Sequence, residues 1–256
     1  MKNSNPAAPT FRQILGVRFF HGHVDLAVDF ISEGGGLVVA PAAPALVKLR
    51  SDEGYRAALT SADLAIADSG FMVLLWKIIR GETLERISGL KYLKRLVLRL
   101  VTRPDERVLW ILPGESARGK TMAWLRASGL REAAEDCYIA PRYAAVIEDR
   151  QLLDKIDMQK PRHIVVGIGG GVQEKLGLYL RQNLSYRPAI HCIGAALGFL
   201  TGDQRPIPMW ADRFYLGWLL RLLREPHVFG PRYLSAFKLP WLIFRYGRRL
   251  PPLAEK

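Results

Sequence analysis

Cysteine is scarce in this sequence, which contains two among its 256 residues, Cys137 and Cys192. Two cysteines so far apart lack the close spacing of a zinc ligand set, and they cannot form the dense disulfide framework of a small secreted domain. We therefore expect both thiols to be reduced and to pack as small apolar side chains.

Long apolar runs are also missing. No window stays uncharged over the roughly 20 residues that a spanning helix needs. The first residues, MKNSNPAAPTFRQ, lack the apolar centre of a secretory signal. These absences argue against a membrane-spanning or a secreted protein, and we expect a cytoplasmic location.

Acidic residues are few compared with basic ones. The sequence has 37 Lys and Arg against 24 Asp and Glu, a formal net charge of +13. Such an excess favours an anionic partner, which can be nucleic acid, a membrane surface or a phosphorylated substrate. From Asp203 to Lys256 basic residues alternate with Trp, Tyr and Phe. This mixture is typical of a membrane interface, although stacking on nucleic-acid bases uses the same residue types.

Short apolar runs alternate with amphipathic patterns through the first two hundred residues. The strand-like runs end in Gly, Pro, Asp or Ala, and they are Gly35–Ala40, Ala62–Asp68, Arg107–Pro113, His163–Gly169 and Ala189–Ala195. The helix-like patterns between them are His23–Gly34, Pro44–Leu59, Ser116–Gly129, Asp149–Lys160 and Val172–Leu184. This alternation predicts an α/β fold with a parallel sheet flanked by helices.

The pattern changes after Gly202, where strand-like runs disappear. The segment MWADRFYLGWLLRLLREP reads as an amphipathic helix that Pro226 ends, and the apolar centre of the segment after it is too short to span a bilayer. We therefore expect an α/β domain over residues 1–202 and a basic, aromatic-rich helical appendage over residues 203–256 that associates with membranes.

Three consecutive glycines follow the strand-like run HIVV, in the segment VGIGGGVQEKL. Glycine allows a positive φ and the close approach of a ligand to the backbone, and the N-terminus of the next helix suits phosphate. Gln173 and Glu174 begin that helix and could bind a base, a ribose or sugar hydroxyls. The glycine spacing does not match a dinucleotide fingerprint. A tight strand–helix turn explains the segment about as well.

A phosphate-binding P-loop pattern occurs at Gly114–Thr121, where GESARGKT satisfies G-x-x-x-x-G-K-[ST] after a strand. This match favours a P-loop NTPase as an alternative function, with Lys120 on the phosphates. The acidic strand that would hold Mg²⁺ comes before the motif in this chain, which argues against it.

Asp68 ends an apolar strand and precedes an apolar helix. A carboxylate in this place, partly buried at the rim of a cleft, could act as a general base. The simpler interpretation is a helix N-cap. Arg86 follows in a loop-like segment and could receive a phosphate.

The order of these segments resembles the WecG/TagA/CpsF family of bacterial glycosyltransferases. The resemblance runs from about Ile14 to Leu234, and its segments are ILGV, YRAALTSADLAIAD, ERISG, VVGIGGGVQE, GFLTG, PMWADRFYLGWLLRLLREP and PRYL. It implies a Rossmann-like core and a C-terminal appendage that docks on the membrane. It also implies inverting transfer of a sugar from a UDP-sugar to a polyprenyl-diphosphate-linked glycan in cell-surface polysaccharide synthesis, without a metal ion.

The resemblance also implies roles for residues of this chain. Asp68 matches the catalytic base, and Gln173 and Glu174 match donor-site residues. The donor is expected to lie against glycines of the strand-end loops, which are Gly114, Gly167, Gly169 and Gly194. Three arginines are expected to face the acceptor diphosphate or the leaving UDP, namely Arg86, Arg221 and Arg224. The partners implied are the UDP-sugar, the lipid-linked acceptor and an anionic membrane at the inner face of the cell membrane. We expect no nucleic acid as a partner, and the sequence leaves a homo-oligomer open.

The chain departs from the family pattern at several polar positions. Ala40-Pro41-Ala42 replaces a Thr-x-Asn, and Gly171-Val172 replaces the Pro-Lys before Gln-Glu. These changes leave two interpretations, an altered pocket or a non-catalytic relative that binds a nucleotide sugar or a lipid-linked glycan.

Overall fold

A computed structural model of the chain describes residues 9–130, 133–193, 195–202, 227 and 234–254. Its centre is one eight-stranded sheet. The strands are β1 (Thr10–Ile14), β2 (Val17–His21), β3 (Gly36–Val39), β4 (Leu64–Ala65), β5 (Val108–Leu112), β6 (Cys137–Ile139), β7 (His163–Val166) and β8 (Ala189–Cys192).

The strand order is β1-β2-β4-β3-β8-β7-β5-β6, and every neighbouring pair is parallel except the β1–β2 hairpin at the edge. Strands β1–β4 come first in the chain and form one half of the sheet, and strands β5–β8 form the other half. The strand order therefore reverses between β3 and β8. Parallel sheets of this kind have a crevice for ligands beyond the carboxyl ends of their strands at such a point.

Helices cover both faces of the sheet. They are α1 (Val24–Gly34), α2 (Ala43–Val47), α3 (Glu53–Ser61), α4 (Gly70–Arg80), α5 (Gly89–Thr102), α6 (Glu115–Ala127), α7 (Arg150–Gln159), α8 (Val172–Asn183), α9 (Ala196–Leu200) and α10 (Leu239–Tyr246). Helices α1, α5, α6 and α9 pack on one face, and the other six pack on the opposite face. Strand residues supply both layers in alternation, since Leu37 and Val39 lie in one and Val38 in the other.

The predicted α/β fold with a mostly parallel sheet is confirmed. The single helix predicted over Pro44–Leu59 is wrong, because α2 ends at Val47 and α3 begins after Asp52. The Asp52 carboxylate accepts a hydrogen bond from the Tyr55 N–H at 3.0 Å, so it caps a new helix at that point. The sequence reading also missed strands β1, β2 and β6 and helix α5.

The last described segment, 234–254, packs against the α/β body. Leu239, Leu242 and Ile243 are buried in the same apolar cluster as the sheet. The Leu15 N–H donates to the Gly247 carbonyl at 2.8 Å, which ties the β1–β2 turn to the end of α10. This part of the predicted appendage is therefore integral to the body. Residues 203–226 and 228–233 lie outside the described residues, so the domain boundary at Gly202 stays a prediction. None of the helices in the described ranges is long and apolar enough to cross a bilayer.

Three buried side chains and the half-buried Glu106 form a hydrogen-bonded chain beside α5, which we call the Tyr92–Glu106 chain. Tyr92 Oη lies 3.0 Å from His191 Nδ1, His191 Nε2 lies 3.1 Å from His163 Nδ1, and His163 Nε2 lies 3.0 Å from Glu106 Oε2. An ionised carboxylate can only accept, so His163 must donate from Nε2. His163 Nδ1 then accepts from His191, and His191 Nδ1 accepts from the Tyr92 hydroxyl. The carboxylate thereby fixes the tautomer of both imidazoles, which are neutral in this arrangement.

We expect the free energy of unfolding to fall as the pH is lowered below about 6.5, the ordinary histidine pKa. Burial lowers the pKa of His163, and burial together with the nearby His163 lowers the pKa of His191 further. The unfolded chain therefore binds protons first, so the stabilisation is complete above the unfolded pKa and is lost as the pH falls. The steepest loss is about 1.4 kcal/mol per pH unit for each imidazole.

The measurement is urea unfolding between pH 7.5 and pH 5, compared with a His163→Leu/His191→Leu variant. Other charged groups face the pair, namely Glu106, Arg99 and Arg162, and the pKa of Glu174 is raised by burial, so its contribution has the opposite sign. These groups remain in the variant, so the difference between the two slopes reports the imidazoles together with Glu106, whose pKa His163 lowers. Equal slopes would contradict the prediction.

Candidate active site

The ends of five parallel strands lie side by side at one edge of the sheet. Ala65 of β4 pairs with Val39 of β3, and Val39 pairs with Cys192 of β8. Cys192 pairs in turn with Val166 of β7, and Val166 with Ile111 of β5. The loops that follow these strands therefore start at the same level and surround the point where the strand order reverses.

Asp68 lies three residues beyond the end of β4 and is half-buried. Its Oδ1 accepts a hydrogen bond from the N–H of Gly89, the first residue of α5, at 2.8 Å. The cap of α4 is Ser69, whose Oγ accepts from the Met72 N–H at 3.3 Å. The helix-cap interpretation of Asp68 is therefore wrong. The Asp68 carboxylate instead faces a different element at the carboxyl edge of the sheet.

Arg86 approaches Asp68 from the loop between α4 and α5. Its Nε donates to the Asp68 carbonyl at 3.2 Å. Gly89 packs so closely on the loop after β8 that an added Cβ would lie 2.8 Å from the Ile193 carbonyl oxygen. The structure thus brings Asp68 and Arg86 together beside the end of β8. We call Asp68, Arg86 and Gly89 the Asp68 cluster.

The glycine-rich loop after β7 contains positions of three kinds. Gly167 is held by packing, because a Cβ there would lie 3.1 Å from Leu197 and 3.5 Å from the Ile111 carbonyl. Gly169 and Gly171 have φ values of +99° and +98°, which favour glycine. Gly170 has neither constraint, since it has no positive φ and its nearest neighbour would be Glu174 Oε1 at 4.0 Å. Folding therefore does not explain why position 170 lacks a side chain, and contact of this position with a ligand stays a prediction.

The polar pair after this loop is enclosed, and Gln173 and Glu174 are each 1% exposed. Glu174 Oε2 accepts from the Gly171 N–H at 2.6 Å, and its Oε1 accepts from Gln173 Nε2 at 3.1 Å. Burial raises the pKa of Glu174. The Cys192 thiol donates to the Gln173 carbonyl at 3.1 Å, which ties α8 to the end of β8. In this structure the pair shapes the loop, and its direct contact with a ligand stays a prediction.

The Asp68 cluster and the glycine-rich loop lie at the same edge but on different strands. Strands β3 and β8 separate β4 from β7, so the ends of β4 and β7 lie about 14 Å apart. Gly89 brings the Asp68 cluster against the loop after β8, which is the strand next to β7. An elongated ligand lying along this edge would contact both.

The P-loop interpretation of Gly114–Thr121 is wrong. Helix α6 begins at Glu115, so Lys120 is exposed on the second turn of a regular helix and Thr121 is buried. Only Pro113 and Gly114 lie between β5 and the helix, which leaves no loop whose N–H groups could surround a phosphate. Gly114 itself stands at the carboxyl edge, and an added Cβ would meet nothing within 4 Å.

Some predicted site residues cannot be placed. Gly194, Arg221 and Arg224 lie outside the described residues. Ala40 and Ala42 follow β3 at the same edge, and Ala42 begins α2 without a side-chain cap. Across the described part of the chain, no three His, Cys, Asp or Glu side chains gather as a metal site.

Sequence reasoning missed Gly89 as the hydrogen-bond partner of Asp68. The available signal was Ser88, whose Oγ accepts from the Lys91 N–H at 3.2 Å and caps α5. Recognition of that cap would have predicted a helix start, and therefore free backbone N–H groups, immediately after Arg86.

The chain is similar to known proteins in two respects. The model of the glycosyl transferase WecG/TagA/CpsF family matches residues 12–252. An N-acetylglucosaminyldiphosphoundecaprenol N-acetyl-beta-D-mannosaminyltransferase from Bacillus spizizenii is 23% identical over 220 residues, which cover 82% of each chain.

Proposed function

Because the chain belongs to the WecG/TagA/CpsF family of glycosyl transferases, we propose that it moves a sugar from a UDP-sugar to a polyprenyl-diphosphate-linked glycan. The similar Bacillus protein is named for an N-acetylglucosaminyl-diphosphoundecaprenol acceptor. An acceptor of that chemical class is proposed for this chain, in the assembly of a bacterial cell-surface polysaccharide.

The observation that carries this proposal is the Asp68 cluster at the strand-order reversal. Inversion in one displacement needs a single base that removes the proton of the acceptor hydroxyl as it attacks the anomeric carbon. Asp68 supplies a half-buried carboxylate, held by the Gly89 N–H at 2.8 Å. Arg86, bound to the Asp68 carbonyl, adds a fixed positive charge beside it that suits a diphosphate.

The donor is proposed to lie along the carboxyl edge towards β7. Gly170 allows its diphosphate or ribose to approach the backbone. Gln173 Oε1 is buried and accepts no hydrogen bond from the described residues. This oxygen suits a hydrogen bond from an N–H or hydroxyl group of the UDP-sugar, provided that the loop opens to admit the ligand. Arg221 and Arg224 are proposed to stabilise the leaving UDP in place of a metal ion.

The proposal includes attachment to a membrane, which exposed apolar side chains on neighbouring helices support. Helices α4 and α10 pack side by side, and a Cβ on Gly247 would lie 3.3 Å from the Arg80 guanidinium carbon. Their outer faces carry Leu74, Ile78, Trp241 and Phe244, which are 46%, 70%, 51% and 74% exposed, and Phe237, in the turn before α10, is 71% exposed. We call these five residues the α4–α10 surface.

The charges around the α4–α10 surface suit an anionic bilayer. Residues 70–80 and 234–254 contain six Lys and Arg and no Asp or Glu. Aromatic and aliphatic side chains bordered by cations are typical of proteins that lie in the lipid headgroup region. The surface is therefore proposed to hold the protein on the inner face of the cell membrane, where lipid-linked acceptors would reach Asp68.

The direct test is a transfer assay with the purified full chain. Vesicles carrying a synthetic N-acetylglucosaminyl-diphosphate polyprenol are mixed with a panel of UDP-sugars, and the products are identified by mass spectrometry. We expect one donor to yield a disaccharide lipid and UDP, with inverted anomeric configuration by NMR. The absence of both UDP binding and transfer across the panel would overturn the proposal.

We expect Gly170→Ala to weaken the binding of UDP about tenfold or more without loss of stability. A methyl group there would occupy the space proposed for the donor, and each tenfold change in Kd corresponds to about 1.4 kcal/mol. The unfolded chain loses freedom with this change, so the free energy of unfolding should stay constant or rise. Titration calorimetry with UDP and thermal melting measure the two effects.

The matched control is Gly119→Ala, on an exposed turn of α6 where an added Cβ also meets nothing within 4 Å. It should leave UDP affinity unchanged. If Gly170→Ala binds UDP as well as the unmodified protein, the donor does not lie against this loop.

A non-catalytic role is favoured by the apolar segment Ala40-Pro41-Ala42 at the same edge. Three positions beside the Asp68 cluster thereby carry no side-chain hydrogen-bonding group for a sugar. Saturable binding of UDP-sugar or of the lipid-linked glycan, with no turnover of any donor and acceptor pair, would support this second function.

A further inference from the structure

The placement of the Asp68 carboxylate depends on where α5 begins. Its Oδ1 accepts from the first N–H of that helix, on Gly89, at 2.8 Å. Gly89 sits against the Ile193 carbonyl so tightly that no Cβ would fit. A small shift of α5 along the sheet would therefore lengthen the hydrogen bond that orients the proposed base.

Tyr92 fixes α5 against the sheet one turn after Gly89. Its ring is fully buried, and its hydroxyl donates to His191 Nδ1 at 3.0 Å. His191 lies on β8, two residues before Ile193, so the same strand end receives both the glycine contact and the tyrosine hydrogen bond. Residues three apart on a helix share one face, so these two contacts determine how α5 begins.

The Tyr92–Glu106 chain also contacts α5 near the C-terminal end of the helix. His191 is held by His163 at 3.1 Å, and His163 by Glu106 at 3.0 Å. Arg99, near the end of α5, donates to the same carboxylate at 3.4 Å. The Tyr92–Glu106 chain thus connects both ends of the helix through β8 and β7.

This chain does not itself bind a ligand. Tyr92, His163 and His191 are each 0% exposed, and every nitrogen of the two imidazoles has a partner within the chain. An apolar set of side chains would fill the same space without fixing the direction of each hydrogen bond. What the polar chain adds is a single position of α5 relative to β8.

We propose that Tyr92 and His191 are positioning residues for Asp68, which act through the Gly89 N–H. The inference rests on the proposed function, in which Asp68 is the base. Neither residue touches the substrate. Their effect on the reaction should therefore require the Asp68 carboxylate.

A double-mutant cycle between Tyr92→Phe and Asp68→Asn tests this requirement. We expect Tyr92→Phe alone to lower kcat about three- to tenfold with KM unchanged, a coupling of the size found between residues in one network. In the Asp68→Asn background, measured at high enzyme concentration, Tyr92→Phe should cause no further loss. Tyr186→Phe is the control, since it also removes one hydrogen-bonded tyrosine hydroxyl, which is half-buried and donates to the Pro161 carbonyl at 2.8 Å, and it should leave kcat unchanged.

Hydrogen exchange of the Gly89 amide gives a readout that needs no turnover. Tyr92→Phe should speed its exchange about tenfold or more and leave exchange in β7 unchanged, whereas Tyr186→Phe should not affect Gly89. Unchanged Gly89 exchange, or an equal loss of kcat with and without the Asp68 carboxylate, would overturn the positioning role alone. Full activity of Asp68→Asn would instead overturn the proposed base, and the positioning role with it.

Discussion

Replacing Asp68 by Asn should lower kcat for sugar transfer by about 10²- to 10⁴-fold, the usual contribution of a general base. The amide cannot remove a proton from the acceptor hydroxyl. Its oxygen can still accept from the Gly89 N–H, which Asp68 Oδ1 does at 2.8 Å. The fold and the UDP affinity should therefore persist, so the loss falls on kcat and not on donor binding.

The measurement is steady-state transfer together with thermal melting and UDP titration. Asp52→Asn is a matched control, because it makes the same change at a carboxylate that caps α3 and pairs with Lys175 at 2.9 Å. An asparagine caps a helix about as well as an aspartate, so this variant should keep its kcat. Undiminished transfer by Asp68→Asn would remove Asp68 from the mechanism.

The double variant Ile78→Glu/Phe244→Glu should bind anionic vesicles more weakly than the unmodified chain, by about a thousandfold or more. Burial of one large apolar side chain contributes about 1.5–3 kcal/mol, and each new negative charge near an anionic surface opposes binding by about 1 kcal/mol. Both side chains are at least 70% exposed, so their replacement leaves the folded core intact. Flotation with equal parts of phosphatidylcholine and phosphatidylglycerol measures the partition.

The control places the same two changes on another surface, as Val146→Glu/Met158→Glu. These side chains are 74% and 79% exposed and lie outside the α4–α10 surface, so their replacement matches both the charge and the apolar loss. We expect a much smaller weakening from this variant. Equal weakening by both pairs would show that net charge alone governs attachment.

The sequence predicts the strands that lie in the middle of the sheet. Strands β3, β5, β7 and β8 are covered on both faces, so they appear as uninterrupted apolar runs. The β1–β2 hairpin was missed because Thr10–Ile14 carries two polar and one basic residue at the exposed edge. Helix α5 was missed because basic residues interrupt its apolar positions in the sequence. Its apolar face becomes evident only from its packing on the sheet.

Part of the candidate site was predictable for a topological reason. Asp68 follows β4, and the carboxyl ends of parallel strands share one edge, so its place at that edge follows from the fold class. Arg86 follows helix α4, so the strand rule does not predict its contact with Asp68. The Tyr92–Glu106 chain was not predictable. Tyr92 and His191 lie 99 residues apart. The sequence around each residue does not indicate that the two side chains are in contact.

The P-loop pattern shows how a short motif misleads. Its fixed positions were all present, but Ser116, Ala117 and Arg118 are ordinary helix residues, and α6 begins directly after Gly114. The motif requires an irregular loop before the helix, which a residue pattern alone cannot establish.

The segment 234–254 is hydrogen-bonded to the β1–β2 turn, and this contact limits how the proposed membrane attachment can be tested. The Gly247 and Arg248 carbonyls accept from Leu15 and Gly16, and Leu239, Leu242 and Ile243 fill the core beneath α10. Shortening the chain before α10 would open a cavity in the α/β body and would also remove Trp241 and Phe244 from the proposed membrane surface. A variant that tests membrane attachment must therefore change exposed side chains and keep the helix.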